Sequence, residues 1–341
     1  MSLRLSVVIS TFNRLPLLLE LLDALGQQTL PAERFEVVVV DDGSKVPAAP
    51  AVERRKDPFK LTMVTQANGG AAAARDAGVR RATGDVVVIT DDDMLVPPDF
   101  LAEHLAAHQA GHTLVLGHMV PDATVLDKPL FERFHIDQIT RFVERYRDRP
   151  TEVRGVMVCT GNVSFRREDY LRIGGFDVTL DRSEDRDLGV RLQEAGARLY
   201  FADKARTTNR TDHTDLSVWM RRNFNYGLCD ARISHKHPQR LDADPWDFLF
   251  LVNPVSRPLL LAAVAVPPLG FALSRAAYSV AELVDRGRKV HPLFERVALA
   301  GATLSYGLEY FRGVRKASGS LPRAVQGLGQ HALKRLTRRS R

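Results

Sequence analysis

The chain of 341 residues is long enough for one large α/β domain with an appendage, or for two modest domains. With 45% hydrophobic and 26% charged residues it can bury a sizeable core, and its two cysteines exclude a disulfide framework or a Cys-rich zinc site. The net charge of +7 is concentrated: from Arg312 onward there are nine Lys and Arg and no acid, which leaves the first 311 residues at about −2 and confines the basic character to a tail suited to an anionic surface.

Residues 5–9 (Leu-Ser-Val-Val-Ile) predict a short buried strand ending in the polar run Ser10-Thr11-Phe12-Asn13-Arg14. A Leu-rich helix over 16–25 follows and stops at Gly26. Strands are expected over 35–40, 61–64 and 85–90, and an Ala-rich helix over 71–82 follows Gly69-Gly70. Continuous apolar strands separated by helices predict a mostly parallel sheet covered on both faces, whose ligand lies beyond the strands' carboxyl ends. Beyond Pro98 the pattern predicts helices over 100–110, 131–146, 187–195 and 219–237, with strands over 113–118 and 156–160. The apolar stretch 259–273 contains Pro267-Pro268 and, at about 15 residues, is short for a membrane span, so a surface-lying or half-inserted element is expected. No signal peptide is read at the N-terminus, and a reduced, cytosolic setting is expected.

The chemistry gathers at the strand ends. Asp91-Asp92-Asp93 follows a buried strand, where three adjacent carboxylates need solvent or a cation. Two of them one residue apart can hold a hard divalent ion that also bridges a diphosphate. Asp41-Asp42-Gly43-Ser44 suits a turn, and an Asp there can also accept from the imide of a uracil-like base. Arg75 lies on the helix after the glycine pair, and that helix start favours a phosphate. Ser183-Glu184-Asp185 reads as a helix cap followed by acids, while an Asp in that place can serve as general base. His213 sits in a polar loop, either as a solvated side chain or as a third metal ligand.

The runs Val7–Arg14, Val38–Ser44, Asn68–Arg75, Asp91–Asp93 with Pro98-Asp99-Phe100, Gly161–Arg167, Gly174–Asp177 and Glu184-Asp185 resemble the family 2 glycosyltransferases of GT-A fold, in order, over about residues 3–230. Each run is weak alone, and their order is what makes the resemblance specific. It implies a Rossmann-like, mostly parallel sheet flanked by helices, and an inverting, single-displacement transfer from a nucleotide-sugar. By the same resemblance Ser10, Thr11, Asn13, Arg14 and Asp42 line the base and ribose, with Asn68, Arg75 and Asp92 nearby. Asp91 and Asp93 form the diphosphate–metal motif for Mn²⁺ or Mg²⁺, which His213 completes. Asp185 is the general base, and Gly161, Asn162 and Glu184 face the transferred sugar or the acceptor.

The domain expectation is a nucleotide-sugar-binding and catalytic domain over 1–230 and a helical, apolar and basic region over 231–341. The latter fits attachment to the inner face of an anionic cell membrane, or pairing with another subunit. The acceptor class is open among glycan, lipid-linked and small-molecule hydroxyls. Two other readings compete. A sugar nucleotidyltransferase needs a Gly-rich phosphate loop after the first strand, and Ser10 to Arg14 has no glycine. A non-catalytic nucleotide- or glycan-binding protein would lack Asp91, Asp93 or Asp185, and all three are present. A nucleic-acid partner is not expected, since it leaves the acidic clusters unexplained.

Overall fold

A computed structural model describes residues 3–122, 124, 127–180, 182–210 and 215–339. The chain divides into two compact units, residues 1–123 with 139–212 and residues 124–138 with 213–341.

The first unit is built on one sheet with strands β1 (Leu5–Thr11), β2 (Phe35–Asp41), β3 (Lys60–Thr65), β4 (Val86–Ile89), β5 (Met94–Leu95), β6 (Leu114–Val120), β7 (Val163–Arg166) and β8 (Leu199–Asn209). Their spatial order is β3-β2-β1-β4-β7-β6-β8-β5. The pairs β1/β2, β2/β3, β1/β4 and β6/β8 are parallel, whereas β4/β7, β6/β7 and β5/β8 are antiparallel. Alternation along the strands divides the apolar side chains between two faces. Val8, Val38, Val87 and Ile89 join one core cluster, while Val7, Ile9, Val37 and Val88 join the other. That division explains why these strands read as unbroken apolar runs.

The helices are α1 (Leu15–Leu25), α2 (Ala49–Val52), α3 (Ala71–Arg81), α4 (Phe100–Gln109), α5 (Leu130–Tyr146), α6 (Arg167–Arg172), α7 (Glu184–Glu194), α8 (Leu216–Lys236), α9 (Asp247–Leu251), α10 (Arg257–Ala265), α11 (Pro267–Asp285), α12 (Pro292–Ala317) and α13 (Leu321–Arg339). Helices α8 to α13 belong to the second unit, with a core around Trp246, Leu260, Leu308 and Phe311 and another around Phe131, Trp219, Tyr278 and Ala302. The stretch 259–273 is broken at Val266 between α10 and α11, where Pro267 opens the new helix. Among the described residues no helix is long and apolar enough to cross a membrane.

Several expectations need correction. The strand expected over 156–160 is a short 3-10 turn at Gly155–Met157, and the strand lies instead at β7. The turn is imposed by packing. A Cβ on Gly155 would sit 2.2 Å from the Gly189 carbonyl oxygen, and one on Gly189 would sit 2.2 Å from that of Gly155. Strand β8 lacks a clean apolar alternation, with the charged Asp203, Lys204 and Arg206 at the register shift against β6, and the pattern missed it. The helix stop expected at Gly26 is present, with right-handed angles at the glycine. We expect Gly189→Ala to destabilise the fold by about 1–3 kcal/mol, because the facing backbone must shift. Thermal melting should show this as a drop of about 2–4 °C per kcal/mol, and an unchanged melting temperature would contradict the close packing.

Candidate active site

The carboxyl ends of β1, β2 and β4 lie side by side, with Thr11 paired to Asp41 across β1/β2 and Val8 to Ile89 across β1/β4. Asp41 folds the loop after β2, its carboxylate accepting from the Ser44 N–H at 2.9 Å and the Ala48 N–H at 2.8 Å. Ser44 in turn accepts from the Asn13 N–H, and the Asn13 side-chain oxygen accepts from the Lys45 N–H, both at 2.8 Å. These bonds hold Asn13 at φ 59, a left-handed conformation uncommon outside glycine.

Asp42 is tied to the loop that precedes α3. Its carboxylate accepts from the Gly69 and Gly70 N–H groups at 2.8 and 2.9 Å and from Gln66 Nε2 at 2.8 Å. The N–H groups leading into α3, which the sequence offers to a phosphate, are therefore occupied by this side chain. Gln66 is a residue that sequence reasoning passed over, although it opens the Gln66–Gly70 run. Asn68 is exposed, and Ser10 is half-buried.

At the end of β4 the three acids separate. The Thr11 hydroxyl donates to Asp92 Oδ2 at 2.7 Å, and Arg14 donates to Asp92 at 3.3 Å and to Asp93 Oδ2 at 2.8 Å. Burial pushes the Asp92 carboxyl up to about 6, opposed by the Thr11 hydroxyl and Arg14. Asp91 turns the other way and accepts from Arg75 at 2.6 Å.

Arg75 is the hub. It is only 7% exposed rather than solvated, and its second nitrogen donates to Glu184 Oε1 at 2.7 Å. Burial pulls its guanidinium pKa down, but Asp91 and then Glu184 more than offset this, so the net shift is upward. The start of α7 thereby meets the end of β4 across one cation. Asp185, next to Glu184, keeps a solvent-facing edge. The protein packed around it still pushes its carboxyl up to about 7, with Glu184 adding to the rise and Arg75 opposing it. Cys159, whose thiol burial pushes up to about 12, feels both Asp185 and Asp91, so the turn before β7 also borders this cluster.

Ser183 does not cap α7 with its side chain. It has φ 60, and its buried hydroxyl finds no hydrogen-bond partner among the described residues. A left-handed residue directly before the acids stores local strain, as residues beside reactive groups often do.

Gly161 and Asn162 part company. Gly161 lies beside Asp91, since a Cβ there would be 3.6 Å from Asp91 Oδ2, and its carbonyl accepts from the Thr90 hydroxyl at 3.1 Å. The Asn162 side chain is buried and bonded to His104 Nε2 at 2.9 Å and to the Ala205 carbonyl at 2.8 Å, so it braces β7 rather than lining an open pocket. Burial holds His104 and His108 down at about 4 and 3, and both rings meet the Ser164 hydroxyl at 2.8 Å as neutral groups. His213 lies outside the described residues.

The donor set suits a hard divalent ion. Asp91 and Asp93 offer oxygen ligands at one strand end, and Asp91 is 30% exposed with only one oxygen on Arg75. Among the described residues no group of three His, Cys, Asp or Glu could hold an ion alone.

Known proteins resemble this chain in sequence and fold. Residues 6–174 match the model described as Glycosyl transferase family 2. Validoxylamine A glucosyltransferase of Streptomyces hygroscopicus subsp. jinggangensis is 31% identical over 274 residues, covering 71% of this chain and 63% of its own length. Glucosyl-dolichyl phosphate glucuronosyltransferase of Haloferax volcanii is 26% identical over 260 residues, covering 70% and 80%. The chain thus spans about 60% of the length of the first curated relatives it matches. Among solved structures, mannosyltransferase PcManGT from Pyrobaculum calidifontis, in complex with GDP-Man and Mn²⁺, superposes with a TM-score of 0.57 at 22% identity, over 89% of this chain and 87% of the other. The strand order, the acids at the end of β4 and the family match lead to one assignment: the chain belongs to the family 2 glycosyltransferases and has the GT-A fold.

Proposed function

We propose that the chain transfers a glycosyl group from a nucleoside-diphosphate sugar to an acceptor hydroxyl, with inversion at the sugar carbon. The observation that carries this reading is the pairing of Asp91 and Glu184 on Arg75, with Asp185 alongside, because it joins a diphosphate-side carboxylate to a poised base. In this reading Asp185 takes the proton of the acceptor hydroxyl as its oxygen attacks the sugar carbon, and the bond to the diphosphate breaks on the opposite face. A carboxyl held near 7 is well matched to that task at neutral pH. Asp91 and Asp93 would hold the divalent ion, which when bound supplies positive charge for the departing diphosphate. Ser10, Thr11, Asn13, Arg14 and Asn68 shape the nucleotide side, with Asp42 fixing the loop before α3 and Asp92 anchored by Thr11. Gly161 and Glu184 face the sugar or acceptor. GDP-Man and Mn²⁺ in the archaeal mannosyltransferase support the donor class and the ion. Among the glycan, lipid-linked and small-molecule acceptor classes, the glucosyl-dolichyl phosphate relative supports the lipid-linked one.

In the same reading catalysis belongs to residues 1–230, and residues 231–341 attach the chain to the inner face of an anionic membrane. The acid-free basic C-terminus supports that location.

Asp91→Ala or Asp93→Ala should lower release of nucleoside diphosphate by roughly 100-fold or more, the usual effect of removing one electrostatic stabiliser. A screen of UDP-, GDP- and dTDP-sugars with Mn²⁺ or Mg²⁺ provides the readout. Full turnover in the presence of a chelator would contradict the metal-dependent mechanism.

A further inference from the structure

We propose that the second unit seats on anionic phospholipid through the outer strip of α11 rather than through the basic tail. This inference rests on the membrane attachment proposed above and names the surface that makes it. Helix α11 packs on α12 through Gly270, Ser274, Tyr278 and Ala281, all buried. Its opposite side carries Pro268, Leu269, Ala272, Ala276, Val280 and Leu283, all exposed, with Val280 and Leu283 at 61% and 60%. At helical spacing these six fall within one third of the circumference, a sector that also holds exposed Ser279 and no charge, along a strip of about 24 Å. Leu293, Phe294 and Val297 carry the apolar exposure into the start of α12.

What covers the strip is indicated by the charges around it. Between residues 267 and 297 the exposed charges are Arg275, Arg286, Lys289 and Arg296 against Glu282 alone, while Asp285 and Glu295 are bonded to Arg133. Phe271, at the edge of the strip, lies under two guanidiniums, Arg275 at 4.6 Å and Arg312 at 4.9 Å from its ring centroid. An uncharged apolar strip rimmed by cations and an aromatic is the layout of a helix lying in the bilayer interface, with the cations at headgroup level. Helix α11 is not apolar enough to span. Part of the tail's charge is meanwhile used inside the unit. Arg312 donates to the Pro267 carbonyl and to Glu309, Lys334 to the Pro238 carbonyl and Arg335 to Asp247.

The test is cosedimentation of the full chain with phosphatidylcholine vesicles, with and without phosphatidylglycerol. The native chain should bind the anionic vesicles, and Leu269→Asp combined with Val280→Asp should weaken that binding by roughly tenfold or more. Both positions are exposed, so the melting temperature and hydrolysis of a soluble donor should stay unchanged. A fluorophore on Leu283→Cys should shift to the blue on anionic vesicles. If the native chain binds no vesicle, the membrane reading fails as a whole. If it binds and the double variant binds equally, or the fluorophore does not respond, the strip is wrong while attachment stands. Equal binding to neutral vesicles, or a dimer in solution that the double variant disperses, would also overturn the assignment.

Discussion

Asp185→Asn is expected to retain the donor and to lose transfer by about 10²–10⁴-fold in kcat, because an amide cannot take the acceptor's proton. The native pH profile should rise with pH and level off above an apparent value near 7, since the base works only when ionised. The same substitution should stabilise the protein. The folded carboxyl keeps its proton up to about 7, whereas the unfolded one releases it near 3.8. Between those values the folded chain carries the extra proton, so stability falls as pH rises through the window. At pH 8 the charged Asp185 is a net burden, and the neutral amide should raise the melting temperature by about 2–4 °C for each kcal/mol recovered. Unchanged kcat would return Asp185 to a structural place at a helix start, and a lower melting temperature at pH 8 would contradict its raised pKa.

Arg75→Ala should have the largest effect on stability. It leaves Asp91 and Glu184 without the cation that both contact, at 2.6 and 2.7 Å, and a broken buried pair typically costs about 3–5 kcal/mol. Arg75 also lowers the Asp185 pKa, so whatever activity remains should need a higher pH than in the native chain. Arg75→Lys should recover only part of both effects, because one ammonium cannot reproduce a fork that reaches two carboxylates. Melting curves and pH profiles of the two variants check this, and equal stability of the alanine variant and the native chain would remove the hub from the account.

Legibility in the sequence followed the physics of each element. Strands β1, β2 and β4 are covered on both faces, so Leu5–Ile9, Phe35–Val40 and Val86–Ile89 stand out as apolar runs ending in polar clusters. The grouping of Thr11, Arg14, Asp42, Arg75 and Asp91 at one sheet edge follows directly from that topology. Which partner each side chain takes is a matter of tertiary geometry. Asp42, expected beside a base, accepts from Gly69 and Gly70, and Arg75, expected beside a phosphate, is buried between two acids. Asn162 shares a motif with Gly161, yet in the turn before β7 its amide goes to His104 while Gly161 lies beside Asp91. The turn at Gly155–Met157 was misread because Val156-Met-Val-Cys is locally strand-like, and only the approach of Gly189 excludes a strand there. At the C-terminus the composition predicts a helical, basic region, and α13 forms there around buried Ala324 and His331.

The most direct test of the central claim is calorimetric titration of the full chain with UDP-, GDP- and dTDP-sugars, with and without Mn²⁺, since it needs no knowledge of the acceptor. The account predicts saturable binding of one donor class that depends on the ion, weakened by roughly tenfold or more in Asp91→Asn or Asp93→Asn and retained in Asp185→Asn. Absence of binding to every donor by the folded chain, or binding indifferent to the ion and to both substitutions, would contradict it.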